Sequence, residues 1–329
     1  MVRTLEWRRP CEALLLVLAV AAAYYATGRL GLLRQVVVEG AIVTPLWLPT
    51  GIALAALLRF GPRVWPGIAL GTYLVIERLA AFHLSDLGIV AGNVLAPVCA
   101  WLLLRRAGFR PELDRLRDGM ALVFLGGLLP MLISATAGTW TLVLTGNLPM
   151  ADFWSTWSAW WAGDTMGVLL GTPLLLALRG IRLTGDPYRV AEGVALMGAT
   201  AAATLVATHS TLSLLFLVFP LLIWAAVRFQ LAGAAPCAFL VSVLSIWAAT
   251  DHAGPFTGRS LLELMVNLQA LNGAAALTGL LLAALVTEQN NVRQKIEEAC
   301  EELAEVVAHL SPGGRDDGPG GNDGPRGPL

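Results

Sequence analysis

Apolar stretches of membrane-spanning length follow one another along nearly all of this chain, and that succession restricts the possible folds more than any other feature. Backbone N–H and C=O groups in lipid must be satisfied within the spanning structure, which leaves helices and closed barrels, and a helix needs about 20 apolar residues to cross. Such runs lie at roughly 12–33, 41–60, 63–82, 86–106, 117–144, 153–178, 190–208, 211–228, 231–250 and 261–287, about ten in all. Hydrophobic residues make up 56% of the chain and charged residues 14%, whereas a soluble globular chain carries about a quarter charged residues. The expected fold class is an all-α integral membrane protein, a polytopic helix bundle of about ten transmembrane helices, or eight to ten if the second or eighth run is re-entrant.

Charge reports topology here. With the N-terminus inside, inner segments hold 18 of the 22 Lys and Arg residues, from Arg3, Arg8 and Arg9 through Arg59, Arg115, Arg182 and Arg228 to Lys295, Arg315 and Arg326, while Arg29, Arg34, Arg78 and Arg259 fall outside. The positive-inside rule places both termini in the cytoplasm. The opening resembles a signal peptide, but its apolar run continues past Tyr25 and reads as an uncleaved first helix. Cys11, Cys99, Cys237 and Cys300 are far apart, and His83, His209 and His252 lie in three different loops without ligand spacing, so no metal site and no cofactor is expected. The basic residues are spread between apolar runs, and no nucleic-acid surface is expected.

Polar side chains at membrane depth are costly and usually have a task. The sixth run holds the sharpest set: Trp154, Trp157, Trp160 and Trp161 at its outer end, then Asp164 about 15 Å beyond Trp154 by helical rise. Gly163, Gly167 and Gly171 recur every fourth residue and permit close helix approach. Asp164 is either a cation or proton site or a structural partner of Asn93, itself beside Gly88, Gly92 and Ala96. In the second run, Pro45 and Pro49 surround Trp47, and Gly51 follows. This is either a broken start with free amides near Thr50 or a proline-capped helix start. The tenth run carries Glu263, Asn267, Gln269 and Asn272. Arg59-Phe60 and Arg228-Phe229 end the second and eighth runs in similar surroundings, as an internal duplication of the transporter kind would or as interfacial arginines would.

After Thr287 polarity rises, and Val292, Ile296, Ala299, Leu303, Val306 and Leu310 form a heptad seam with acidic flanks, the pattern of a short dimeric coiled coil or of one amphipathic helix on the membrane. His309 lacks the surroundings of a phosphoacceptor. Residues 311–329 are rich in Gly, Pro and Asp and are expected to be disordered. The expected organisation is a membrane sensor domain (1–288), a cytoplasmic heptad helix (289–310) and the tail.

Several blocks resemble, in order and in register, the membrane-associated sensor family, type one, the MASE type-one sensory domain of bacterial signalling proteins. They are Trp47 to Leu54 (WLPTGIAL), Trp65-Pro66-Gly67, Gly92-Asn93, Trp160 to Asp164 (WWAGD) with Gly167, Trp224 to Phe229 (WAAVRF) and Gly254-Pro255-Phe256, within about Val36 to Gln289. The resemblance implies a signal-input domain in the bacterial inner membrane, of the kind that precedes a histidine kinase, diguanylate cyclase, phosphodiesterase or PAS module. No catalytic module follows Glu288 in this sequence, so no enzyme activity is expected, and output would pass to a kinase or cyclase in trans.

Trp47, Pro49, Thr50, Asn93, Trp160, Trp161, Asp164, Arg228, Glu263 and Asn267 are the candidate sensing residues. Trp47, Thr50, Asp164, Glu263 and Asn267 are expected to build an outer pocket for an unknown small molecule, with transmission through Val292, Ile296, Leu303, Val306 and Leu310 in a homodimer. The competing class is a small-solute or proton-coupled transporter or channel.

Overall fold

The computed structural model describes residues 3–34, 36–38, 41–79, 82–180, 187–210, 212 and 214–310. The tail expected to be disordered, with Arg315 and Arg326, and also Arg182 lie outside the described residues. The chain divides into two units, residues 1–288 and 289–329. The first contains α1 (Arg3–Leu32), a hairpin of β1 (Val36–Val38) and β2 (Ala41–Val43), α2 (Leu48–Phe60), α3 (Trp65–Leu79), α4 (Leu87–Arg106), α5 (Leu116–Ala121), α6 (Met131–Leu144), α7 (Phe153–Met166), α8 (Thr172–Gly180), α9 (Pro187–His209), α10 (Val218–Thr250) and the greater part of α11 (Leu261–Leu310). Among the described residues seven helical stretches are long and apolar enough to cross a membrane.

The second expected span is corrected by the structure. Its first residues, Ala41–Val43, pair antiparallel with Val36–Val38, Val37 standing opposite Ile42. The β-branched run favours extended backbone, and helix starts only at Leu48, with Pro49 in its first turn where a missing N–H costs nothing. The helix that remains has 13 residues.

Two other expected spans each contain a π-helical turn, Leu122–Leu128 and Gly167–Gly171. Each turn lies two residues before a proline, Pro130 or Pro173. Proline lacks the N–H for the i−4 carbonyl and its ring pushes that carbonyl away; widening the helix by one residue accommodates both effects. The Leu129 amide accordingly donates to the Phe124 carbonyl five residues back, at 3.0 Å.

The eighth and ninth expected spans meet without a loop inside α10. Gln230 takes φ 49° and ψ −138°, and the chain doubles back there. In a straight helix, residues eight apart are separated by about 12 Å along the axis, yet a Cβ on Gly233 would stand 3.1 Å from the Ala225 carbonyl oxygen. Gly61, which follows Arg59-Phe60, is likewise left-handed (φ 76°), so the sequence echo between the two Arg-Phe pairs extends to backbone reversals just after them.

Polar ties close the bundle at both ends. At one end Arg34 bonds Asp251 at 2.6 Å and lies 4.1 Å over the Trp247 ring. At the other, buried Asp118 receives two N–H bonds from Arg115 (2.7 and 2.8 Å) and the Arg110 amide at 3.2 Å. The Glu288 carboxylate there accepts the Leu116 amide at 2.8 Å and so caps α5 from α11.

The second unit is described over residues 289–310, all helical. Val292, Ile296, Ala299, Leu303 and Val306 are exposed along it, and Leu310 is its last helical residue.

Candidate functional site

Glycines decide how closely α2 docks on α7 and the π turn after it. A Cβ on Gly167 would collide with the Trp47 carbonyl and Thr50 Oγ1, one on Gly163 with the Thr44 carbonyl, and one on Gly51 with the Gly167 carbonyl. The close approach lets backbone polar groups pair between elements. The Trp47 amide donates to the Gly163 carbonyl at 3.0 Å, and Thr172 Oγ1 donates to the Gly51 carbonyl at 3.2 Å. Thr50 Oγ1 reaches both the Trp47 carbonyl (2.7 Å) and the Asp164 carbonyl (3.1 Å). The amides of Trp47 and Thr50 are therefore engaged, Thr50 donating to the Trp47 carbonyl at 3.3 Å. Of the two readings of this start, the proline-capped one matches the geometry, and these two amides are not free for a ligand.

Asp164 is fully buried in this contact. Its Oδ2 accepts the Ser134 hydroxyl of α6 at 2.5 Å, while Oδ1 has no hydrogen-bond partner. Trp160, one turn earlier on α7, lies within electrostatic reach of the carboxylate but short of a bond to Oδ1. Its ring rests against Gly138, where any side chain would displace it. On the far side, buried Tyr24 of α1 donates to Asn93 Oδ1 at 3.3 Å and stands within reach of Thr72, Trp47 and Asp164. Asn93 spends its own N–H on the Ile89 carbonyl at 3.0 Å. Ser134, and not Asn93, is thus the partner of Asp164. Six helices contribute polar or aromatic groups around one carboxylate in a region with no charged counterpart among these contacts. A buried carboxylate held this way leaves Oδ1 as an open hydrogen-bond acceptor among the described residues.

The apolar succession, the WLPTG and WWAGD blocks and the carboxylate they enclose coincide with a known family. Its model, MASE1, matches residues 15–290. This chain belongs to the MASE1 family. MASE1 is a membrane sensory domain of signalling proteins. A curated relative, the probable diguanylate cyclase DgcE of Escherichia coli (strain K12), is 31% identical over 204 residues. That stretch is 57% of this MASE1 chain and 17% of the relative, so the likeness covers a small part of that protein. No solved structure matches. Every candidate sensing residue falls inside the MASE1 match, which ends two residues beyond Glu288.

The MASE1 fold brings together Trp47, Pro49, Thr50, Asn93, Trp160 and Asp164 of the expected set and places the other four elsewhere. Trp161 points off the cluster, donating its indole N–H to the Leu128 carbonyl at 2.8 Å beside the Pro130 break and stacking on Trp157. Arg228 is exposed and grips Glu192 of α9 through Nε at 2.8 and 3.0 Å. Glu263 is exposed and caps α11, its carboxylate accepting the Ser260 amide at 3.0 Å. Asn267 is half-buried on α11 without joining the Asp164 contacts. The polar residue of α11 that does reach the α2 junction is Gln269, whose Nε2 donates to the Pro45 carbonyl at 2.8 Å. Tyr24, Thr72 and Ser134 complete the cluster and were not expected from sequence. Each lies in a mostly apolar run beside other small polar or aromatic residues, and only Tyr24, too large to be left without a partner when buried, carried a usable signal.

Proposed function

We propose that this chain is the signal-input part of a bacterial signalling system. Events at Asp164 would reach α11 through the Thr44–Trp47 segment, and the helix beyond residue 288 would carry them to a kinase or cyclase partner in trans. The observation that carries this reading is the Gln269–Pro45 bond. The same segment gives its Trp47 amide to Gly163, and Thr50 on the next turn holds the Asp164 carbonyl. The last helix is thereby linked to the carboxylate cluster by three consecutive hydrogen bonds. In this reading α2, α3 and the two arms of α10 are separate crossings beside the other six stretches, ten in all, and the charge distribution supports both termini on the cytoplasmic side.

A thermal-shift screen of the purified protein in detergent, against metabolites, amines and monovalent cations, tests the input half. A stabilising compound is expected, and the Gln269→Leu variant should still bind it within about a factor of three while failing to pass the effect to residues 289–310. If no compound in any class stabilises the protein, the small-molecule reading fails.

The exposed row Val292, Ile296, Ala299, Leu303 and Val306 supports transmission through a parallel dimer. Single cysteines at successive positions from 292 to 306, in a background lacking the four native ones, should crosslink in membranes with a period of about 3.5 residues. Leu303→Asp should reduce that crosslinking by more than tenfold. A flat pattern would sink the dimer. The paired Arg-Phe reversals favour a transporter as second reading; substrate-dependent flux in liposomes, lost in Asp164→Asn, would establish it.

A further inference from the structure

Away from the Asp164 cluster, the seam between α11 and the second arm of α10 holds a different kind of polar group. Asn272 is fully buried, and neither its Oδ1 nor its Nδ2 finds a hydrogen-bond partner among the described residues. The same holds for Gln269 Oε1, Ser242 Oγ, Ser245 Oγ and Thr165 Oγ1.

Packing register brings these atoms to one level. Gly279 of α11 abuts Ala234 and Ala238 of α10. Seven residues back along α11 and seven forward along the antiparallel arm, each about 10 Å by helical rise, stand Asn272 and the Ser242/Ser245 pair. Gly273 faces Met166 of α7, and Thr165 beside it sets its methyl against Gly127. Gln269 is oriented by its bond to Pro45. One turn below this level, Leu169, Ala238 and Ala276 line a cavity of about 10 Å³. These three are each four residues from Thr165, Ser242 and Asn272: the cavity itself is apolar, and the polar groups lie one turn away on the same helical rows.

Other buried hydroxyls of the bundle, such as Thr72, Thr200, Thr204 and Thr208, bond the carbonyl of their own preceding turn. The seam hydroxyls do not, so their hydrogen-bonding capacity faces the seam. Unpaired hydroxyls at Thr139 and Thr156 occur elsewhere, but among the described residues it is here that the helical register gathers an amide N–H₂, two amide oxygens and three hydroxyls without hydrogen-bond partners.

We propose that this level is a hydration site, binding water between α10, α11 and α7. The donor set decides for water. It mixes acceptors with the Asn272 N–H₂, which a cation would leave unpaired, and it contains no carboxylate to offset a buried charge. A buried water makes about three hydrogen bonds, and the unpaired donors and acceptors of the seam can supply them. The consequence is that α11 is held to α10 by bonds that water can exchange, next to the Gln269 link and independently of what Asp164 binds.

Two measurements on the full chain decide the matter, and both must hold. With the four native cysteines replaced, Ser245→Cys in membranes should react with methanethiosulfonate ethylammonium at least tenfold faster than Val266→Cys, a lipid-facing position on α11 that is 58% exposed. Asn272→Leu should leave the melting midpoint unchanged or lower it, because it removes a group that water satisfies. A rise in midpoint on Asn272→Leu, or equal labelling rates, overturns the proposal. So does a midpoint that rises in sodium chloride over equimolar choline chloride in the parent and not in Asn272→Leu, which assigns the site to a cation.

Discussion

Alanine at Gly167 will prevent α2 from docking. The added methyl would lie inside contact distance of the Trp47 carbonyl and Thr50 Oγ1, and both belong to a segment already fixed by bonds to Gly163 and Asp164. The Trp47 carbonyl is backbone and the Thr50 hydroxyl is held by two hydrogen bonds, so neither yields readily, and the cost exceeds the usual 1–3 kcal/mol of overpacking, at about 3 kcal/mol or more. Gly51→Ala, which drives its methyl against the Gly167 carbonyl from the opposite side, should match it. Gly198→Ala on α9 is the control: nothing lies within 4 Å of its added carbon, and helix propensity favours alanine by up to about 1 kcal/mol. Melting midpoints of detergent-purified variants should therefore fall steeply for the first two and hold or rise for the third. Equal midpoints for Gly167→Ala and Gly198→Ala would refute the close approach.

The second large effect is functional. Asp164→Asn keeps the shape and can still accept the Ser134 hydroxyl, but it loses the charge and puts an N–H₂ at one of the two oxygen positions. Asp164 has no charged partner among these contacts that the substitution would strand, so the variant should fold with a midpoint equal to the parent's or higher. Its response to any ligand or proton sensed at Oδ1 should drop by more than tenfold, read as the lost thermal shift or as an unchanging crosslink pattern in residues 292–306. Ser134→Ala is the counterpart. It deprives a fully buried carboxylate of its one hydrogen bond and should cost about 1.5–3 kcal/mol. The double variant Ser134→Ala/Asp164→Leu should recover much of that loss, since nothing charged is then left unpaired. If Asp164→Asn is as destabilised as Ser134→Ala, Asp164 serves the fold and not the signal.

Asp164 could be picked out from sequence because a lone carboxylate in an apolar helix is expensive wherever it points, and the glycines at 163, 167 and 171 showed which contact would be tight. Direction around the helix was the part that sequence left open. Trp160 and Trp161 are adjacent and chemically alike, yet they point about 100° apart, one to the carboxylate and the other to a carbonyl left beside a proline. Glu263 follows Ser260 at the S-x-x-E spacing of a helix cap, a local signal that outweighs its membrane setting. Ser134 and Thr72 were hidden because a hydroxyl in a membrane helix ordinarily bonds its own backbone, as Thr72 does to the Ile68 carbonyl, and its other contacts come only from tertiary packing. The short α2 was obscured by apolarity: Val36, Val37, Val38, Ile42 and Val43 are as hydrophobic as residues of a membrane helix and differ in backbone preference.

The reversal at Gln230 also bears on how the molecule is made. Two arms joined by a single left-handed residue have no slack, so neither can enter the bilayer ahead of the other with a loop trailing behind. If the two arms cross separately, as proposed, residues 215–250 would enter the bilayer as a hairpin, and foreign segments spliced at 230 should lower the yield of folded protein where the same segments at Gly146, in a loop between helices, are accepted.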